Sequence, residues 1–275
     1  MQGRPGDRAQ QPHAHVRLDQ FSDREREAAL VRAAQAGVRW LLTAGLDVPS
    51  SRRAAHIAAG NERVLAAVGL HPWQVGESPP ATLGQQLTCL ARAAHVVAVG
   101  EVGLDFIDNA FTGVDYRSAD QLRRAQLEAF RQQVEIAREL DLPLVLHCRG
   151  AYLELIAVLR EEKAYRVRGM VHNFDGARQA MARLLDMGLL LSIGGAITYP
   201  EALPLRRAVR YIPPDGLLIE TDAPYMPLHP DSGERNEPAN VRIVAHWVAQ
   251  LKGVEEMELV ETCYRSFARM FGLPT

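Results

Sequence analysis

The chain has 275 residues, of which 47% are hydrophobic and 23% are charged, and its formal net charge is −2. This apolar content is ample for one sizeable core, while the near-neutral charge excludes binding of nucleic acid through an overall positive field. Contact with nucleic acid would therefore require a local basic patch. No stretch approaches the ~20 consecutive apolar residues that a membrane-spanning helix needs.

The cysteines and the N-terminal residues indicate the cellular compartment in which the protein is expected. There are three cysteines, an odd number, and none is part of a CxxC pair. Such cysteines favour a reducing compartment. Arg4 and Arg8 are followed by no apolar run, which is not the pattern of a secretory signal. We therefore expect a cytoplasmic protein.

Helical and strand-like patterns alternate along the chain from residue 22 onward. Ser22 and Glu25 have capping-box spacing and predict the start of the first helix. Helices are predicted at 22–36, 50–59, 81–94, 118–140, 152–162, 177–187, 200–209, 239–252 and 256–271. Short apolar runs predict strands at 38–44, 64–70, 96–102, 142–147, 168–172, 189–193 and 216–221.

This alternation is typical of a parallel sheet with helices outside it, since strands covered on both faces are continuously apolar. The sequence thus predicts a TIM-like (β/α) barrel, with a doubly wound open sheet as the competing arrangement. The eighth strand of a barrel would have to come from the polar segment around His13 and His15, and would be degenerate. No linker divides the chain, so we expect a single domain over 1–275, with residues 1–10 outside its core.

Polar residues stand at or directly after the carboxyl ends of five of the apolar runs, namely His71, Glu101, His147, His172 and Asp222. In a (β/α) barrel the carboxyl ends of the strands converge on one mouth, where the active site lies. Any one of these residues could be a turn or a capping group, but those explanations do not predict His or acid at the same end of five strands. Imidazole and carboxylate are ligands of divalent cations, so the pattern predicts a metal-dependent hydrolase with one or two cations.

Other catalytic patterns are missing from the sequence. There is no GxSxG elbow and no phosphate-binding GxxxxGK[ST] or GxGxxG loop. Lys163 and Lys252, the only lysines, do not follow a predicted strand, which disfavours Schiff-base chemistry.

Seven motifs, taken together and in order, resemble those of the TatD-type deoxyribonucleases, which are amidohydrolase-like metal-dependent barrels. They are HxH at 13–15, GLHP at 69–72, VGEVGLD at 99–105, LPLVLHCR at 142–149, VHNFDG at 171–176, IETDAPYMP at 219–227 and RNEP at 235–238. The resemblance covers residues 13 to 272. It implies hydrolysis of DNA phosphodiesters, as in 3′-to-5′ exonucleases that favour single strands, with magnesium, manganese or zinc.

The resemblance also implies roles for individual residues. The implied metal ligands are His13, His15, Glu101, His147, His172 and Asp222, with Glu101 as the bridge and Asp222 also as the general base. The implied substrate contacts are His71, Arg149 and Arg235, while Asn236 and Glu237 would order the mouth.

The first motif departs from the family pattern. Gln11 and Arg17 stand where the family has aspartates, and Pro12 lacks an N–H for the sheet. We therefore expect the metal site that depends on His13 and His15 to be the weaker one. Two alternatives to a monomeric deoxyribonuclease stay open, namely hydrolysis of another ester or an amide, and a catalytically silent barrel that acts as an interaction subunit.

Overall fold

The computed structural model describes residues 14–76, 82–107, 119–164, 167–229 and 235–274. Eight parallel strands form one sheet in the order β1 to β8. They are β1 Ala14–Val16, β2 Leu41–Ala44, β3 Val64–Val68, β4 Val96–Asp105, β5 Leu144–Arg149, β6 Gly169–Val171, β7 Leu190–Ile193 and β8 Leu217–Ile219. Val16 pairs with Ala223 beyond β8, and the Arg17 N–H donates to the Ala223 carbonyl at 2.6 Å. The first and last strands therefore meet, which confirms the predicted barrel with its short first strand.

In the part of the chain that the structure describes, nine α-helices pack around the strands. They are α1 Asp23–Gln35, α2 Val48–Ala59, α3 Leu83–Ala91, α4 Ala119–Leu140, α5 Tyr152–Glu161, α6 Arg178–Asp186, α7 Leu203–Val209, α8 Val241–Lys252 and α9 Glu256–Phe271. The predicted segments agree in kind and order, and they differ at their ends. Strands β4 and β5 continue beyond their predicted ends, to Asp105 and Arg149. None of these helices has both the length and the apolar character needed to cross a membrane.

Local signals set the helix ends. The capping box of α1 is present, because Ser22 Oγ accepts from the Glu25 N–H at 3.4 Å and Glu25 Oε2 accepts from the Ser22 N–H at 2.8 Å. At the other end of the chain, α8 and α9 stop at Gly253 and Gly272, which adopt the left-handed conformation at φ 66° and 67°.

Glycines allow β4 and β5 to approach closely beneath the mouth. A Cβ atom on Gly103, where φ is 141°, would lie 2.0 Å from the carbonyl oxygen of His147. A Cβ atom on Gly100 would lie 2.5 Å from Cβ of Val145. The register of the two strands shifts between Gly100 and Val102, so Glu101 sits at an irregularity in β4. The backbone therefore depends on glycine at the level where the polar residues begin.

The floor of the barrel is apolar. We use "floor" for the buried cluster Leu42, Ala44, Leu65, Ala67, Ala98, Val145, Met170, Leu218, Phe267 and Met270. The strand members lie at alternate positions, which face the same side of the sheet, and α9 supplies Phe267 and Met270. In β5 the same row continues from Val145 to His147 and Arg149. The inward row thus changes from apolar to polar toward the carboxyl end, and this change positions the site.

Candidate active site

One carboxylate oxygen is surrounded by three imidazole rings at the carboxyl end of the barrel. Oε1 of Glu101 lies 3.2 Å from His147 Nδ1, 3.4 Å from His71 Nε2 and 3.6 Å from His172 Nε2. Burial alone would raise the pKa of Glu101. The attraction of His172 and the hydrogen bonds of His147 and His71 outweigh burial and hold this pKa well below its usual range. Glu101 is therefore a buried anion at the centre of the site.

His172 connects Glu101 to two further carboxylates beyond β8. Its Nδ1 lies 2.9 Å from Glu220 Oε1, and its Nε2 lies 3.6 Å from Asp222 Oδ1. Burial would lower the pKa of His172, but the attraction of Glu220 and Glu101 raises it well above the usual value. For Asp222, burial raises the pKa to about 7, with His172 opposing the rise. Unlike Glu101, Asp222 therefore lies where a proton is readily held.

Asp105, at the end of β4, joins three side chains on the other side of the cluster. Its Oδ2 accepts from Trp73 Nε1 at 2.8 Å and from Arg149 Nη1 at 3.3 Å, and lies 3.2 Å from His147 Nε2. Burial would raise its pKa, but hydrogen bonds with His147 and Trp73 lower it to about 2. A charged Asp105 thus orients both His147 and the half-buried Arg149.

The hydrogen bonds of His71 indicate its tautomer. Nδ1 accepts from the backbone N–H of Trp73 at 3.1 Å, so in a neutral ring the proton lies on Nε2, which faces Glu101. The ring is neutral, since burial and the neighbouring His147 lower the pKa of His71 to about 4. His71, Glu101 and His147 each place a potential ligand atom within 4.8 Å of the others. In this tautomer, however, His71 offers the cavity an N–H rather than a lone pair.

The cluster fits a divalent cation. His147 and His172 each have one ring nitrogen next to an outer carboxylate, Asp105 and Glu220 respectively, and the other nitrogen toward Glu101. An outer carboxylate that fixes the ring while the second nitrogen faces inward is the usual environment of a metal-binding histidine. Glu101, His147, His172 and Asp222 could therefore hold such an ion.

A cavity of about 500 Å³ opens above these residues. Around the cluster its wall is formed by Arg17, Leu46, Trp73, Gln74, Arg149 and Tyr225, among others. Two guanidinium groups thus share a cavity with buried carboxylates and imidazoles.

Comparison with known proteins decides the family. The family model described as TatD related DNase matches residues 12–272. The chain belongs to the TatD family. It is 36% identical over 242 residues to the uncharacterized metal-dependent hydrolase YcfH of Escherichia coli K12, covering 88% of this chain and 86% of that protein. It is 32% identical over 255 residues to the Citrobacter rodentium protein named 3′-5′ ssDNA/RNA exonuclease TatD, covering 91% and 93%.

A solved structure agrees with this assignment. The crystal structure of YjjV, a TatD homologue from Escherichia coli K12, superposes with a TM-score of 0.86 at 30% identity and covers 97% of this chain and 99% of that one. The resemblance to the TatD family is confirmed, and the chain is a metal-dependent hydrolase of that family.

The structure brings together most of the residues that the TatD resemblance singles out. Those at the cavity are His71, Glu101, His147, Arg149, His172 and Asp222. His13 lies outside the described residues, and of His15 the structure describes the backbone, which pairs with Leu42. Assignment of a cation to these two histidines therefore stays a prediction.

Arg235 lies apart from this group. Its guanidinium is 4.2 Å from the centre of the Phe21 ring and 3.7 Å from Glu25, and it also donates to the carbonyl of Gln20. Arg235 is not among the residues that line the cavity. The attraction of an aromatic face and a carboxylate at the start of α1 accounts for this position.

The neighbouring Asn236 orders the mouth, as the TatD resemblance implies. Its buried amide donates to the carbonyls of Thr221 at 2.7 Å, Tyr225 at 2.8 Å and Met226 at 3.0 Å. These bonds fix the segment that carries Asp222. Glu237 accepts from Arg32 Nε at 2.6 Å and thereby ties the segment that carries Asn236 to α1.

Sequence reasoning gave no site role to four residues that the structure places here, namely Arg17, Trp73, Asp105 and Glu220. The spacing of Glu220 was a signal for its role. It precedes Asp222 by two residues, and in an extended segment two such side chains face the same side. Asp105 ends the VGEVGLD motif, but its position depends on the irregularity in β4. Trp73 follows the GLHP motif and supplies both an indole and a backbone N–H to the site.

Proposed function

We propose that this protein is a cytoplasmic, monomeric deoxyribonuclease that hydrolyses phosphodiester bonds from the 3′ end of single-stranded DNA. The observation that carries the proposal is the cavity itself, in which a His and carboxylate cluster suited to divalent cations adjoins the guanidinium of Arg149. A guanidinium fork binds the oxygens of a phosphate group. The exonuclease name of the Citrobacter rodentium relative supports the same substrate class.

We assign the divalent cations, magnesium, manganese or zinc, to two positions that share Glu101. His147 and His172 would complete one position. Asp222, together with His13 and His15, would complete the other. When bound, the cations would supply Lewis-acid activation of water and would offset the charge of the phosphate.

The side chains would then divide the hydrolytic step among them. Asp222 would accept a proton from the attacking water as the water oxygen bonds to phosphorus. The bond from phosphorus to the sugar oxygen would break, and this oxygen would leave as a hydroxyl group after taking up a proton from solvent water. The guanidinium of Arg149 would donate to a non-bridging phosphate oxygen, while His71 would lie beside the phosphate with its Nε2–H directed at Glu101. Asp105 keeps His147 and Arg149 oriented through the contacts described above.

A metal titration tests the proposal. Metal-free protein is assayed on a chromogenic phosphodiester, an amide and a lactone while magnesium, manganese or zinc is added back. We expect metal-dependent hydrolysis of the phosphodiester only. Hydrolysis of the amide or lactone alone would support another hydrolase on the same site, and inertness with every metal would support a silent interaction subunit. Either result would refute the proposed deoxyribonuclease.

A further inference from the structure

Arg17 is a buried cation in the wall of the catalytic cavity. It directly follows β1, its exposure is 4%, and it lines the cavity together with Glu101 and Tyr225. Burying a guanidinium is costly unless it is paired, so a partner for Arg17 is expected on physical grounds.

The partner is Asp19, which holds Arg17 by two of its three nitrogens. Arg17 Nε lies 3.0 Å from Asp19 Oδ1, and Nη2 lies 3.0 Å from Oδ2, while Nη1 is not part of this fork. The side chain of Asp19 is buried, and its Oδ2 also lies 3.6 Å from Nη2 of the exposed Arg53. One carboxylate is thus shared by two guanidinium groups. The pairing fixes the orientation of Arg17 and leaves the group of three with an excess positive charge.

The strand order places this charge opposite Arg149. Arg17 follows β1 and Arg149 ends β5, and the eight strands run in sequence order with β8 meeting β1. Strand β5 is therefore four strands from β1 in either direction around the barrel. The two guanidinium groups flank the cluster around Glu101 from opposite sides of the mouth.

We propose that Arg17 binds a second phosphate of the substrate, across the cavity from the phosphate held by Arg149. This inference rests on the proposed phosphodiesterase function and specifies its substrate as a nucleotide chain with successive phosphates rather than an isolated diester. A strand that crosses the mouth presents successive phosphates to both sides of the cluster, whereas a single phosphate placed at the cluster next to Arg149 does not need a cation opposite. Because Asp19 orients Arg17 in advance, little side-chain freedom is lost on binding.

A purely structural role makes a different prediction. Arg17 could serve only to offset the buried carboxylates or to join β1 to the end of β8. In that case its removal would weaken all anionic ligands by the same factor, or would only lower the melting temperature. The ratio of affinities for ligands with two phosphates and with one separates these roles.

The probes are thymidine 3′,5′-bisphosphate, thymidine 5′-monophosphate and thymidine 3′-monophosphate, measured by calorimetric titration with magnesium present. Arg17 is replaced together with its partner, as Arg17→Gln with Asp19→Asn, so that no buried carboxylate loses its main counter-charge. Arg53→Gln is the matched control, because Arg53 contacts the same Asp19 but is 57% exposed. Melting temperatures show whether each variant folds.

We expect the wild-type protein and the Arg53→Gln control to bind the bisphosphate about tenfold more tightly than either monophosphate, as one charge-assisted phosphate contact would provide. The double variant should lose most of this preference while it keeps its monophosphate affinity within about twofold. Equal losses for both ligand classes, or an unchanged ratio, would overturn the proposal.

Two further arms keep the test decisive. If the double variant does not fold, Arg17→Lys replaces it, since lysine keeps the charge but loses the fork with Asp19. The ratio should then lie between one and the wild-type value, and a ratio equal to wild type would overturn the proposal. Binding is measured without turnover. A wild-type protein that prefers the bisphosphate but cleaves no phosphodiester would refute the proposed function while the Arg17 contact stands.

Discussion

The two ends of the barrel interior are built from the same strands but differ in chemistry. At the amino end, residues such as Val145 and Met170 pack against Phe267 of α9 in an apolar cluster. At the carboxyl end, the same inward rows continue to His147 and His172, which are buried beside carboxylates. A step of two residues along β5 or β6 therefore separates core from site.

The difference separates stability from function. Burying apolar side chains stabilises the fold, whereas burying charged groups is neutral or costly unless they are well paired. We infer that the floor stabilises the barrel and that the mouth is retained for chemistry. Substitutions at the two ends should thus affect different measurements.

Asp222→Asn should affect activity without unfolding the protein. The variant loses a ligand charge and the proposed proton acceptor, and loss of a general base typically costs about 10²- to 10⁴-fold in rate. Asp222 adopts φ 58°, a conformation that asparagine tolerates. Steady-state hydrolysis and thermal melting check both expectations. Wild-type turnover would place the base elsewhere, and a large drop in melting temperature would show that Asp222 also stabilises the fold.

Phe267→Ala should lower the stability of the protein but not its turnover per folded molecule. Phe267 is fully buried in the floor and contacts Phe271 at 4.6 Å between ring centres. Truncating a buried phenylalanine to alanine costs about 3–5 kcal/mol of stability. Denaturant unfolding measures the loss, with Phe267→Leu as the milder control. A large loss of turnover per folded molecule would contradict the separation of stability and function between the two ends.

Asp105 is an exception at the mouth, because its well-paired carboxylate should contribute stability that depends on pH. The pKa of Asp105 is lowered from 3.8 to about 2, so its contribution is fully present above about pH 4 and is lost as the pH falls through about 2. A shift of this size corresponds to about 2 kcal/mol. Unfolding of the metal-free protein across this pH window should show the loss, and Asp105→Asn should flatten it. A wild-type slope in Asp105→Asn would mean that other carboxyl groups cause the acid sensitivity.

Arg149→Ala and Arg235→Ala form a matched pair at the rim. Arg149 lines the cavity, while Arg235 rests on Phe21 outside it. Loss of one phosphate contact should raise KM for oligonucleotides about tenfold or less and should reduce the salt slope of binding by about 0.7 for a single strand. Arg235→Ala should leave both unchanged. If Arg235→Ala had the larger effect, the substrate path would run over α1 instead.

The sequence predicts the residues of the mouth better than the contacts of the floor. The strands that lead to His71, His147 and His172 were predictable, since each is a buried apolar run with a polar residue near its carboxyl end. The carboxyl-end rule for barrels then places these residues together. Most of the residues that form the mouth could therefore be predicted from the sequence.

Long-range pairing was not predictable. In the sequence, Arg17 is only a departure from the family motif. Its position in the cavity depends on the hydrogen bonds to Asp19 and on the pairing of β1 with Ala223. Arg235 reads as a mouth residue, yet the ring of Phe21 and the carboxylate of Glu25 hold it at α1. That α9 supplies Phe267 to the floor is likewise a tertiary contact between distant segments. Periodicity and motif order do not report such contacts.

Metal-dependent cleavage from the 3′ end is tested with a 5′-labelled single-stranded oligonucleotide, followed over time with wild-type protein and Asp222→Asn. We expect stepwise shortening from the 3′ end by the wild-type protein, which a chelator stops and a divalent cation restores. Asp222→Asn should leave the oligonucleotide largely intact under the same conditions. Shortening that persists in chelator or in Asp222→Asn, or an oligonucleotide that stays intact with wild-type protein and every divalent cation, would contradict the account.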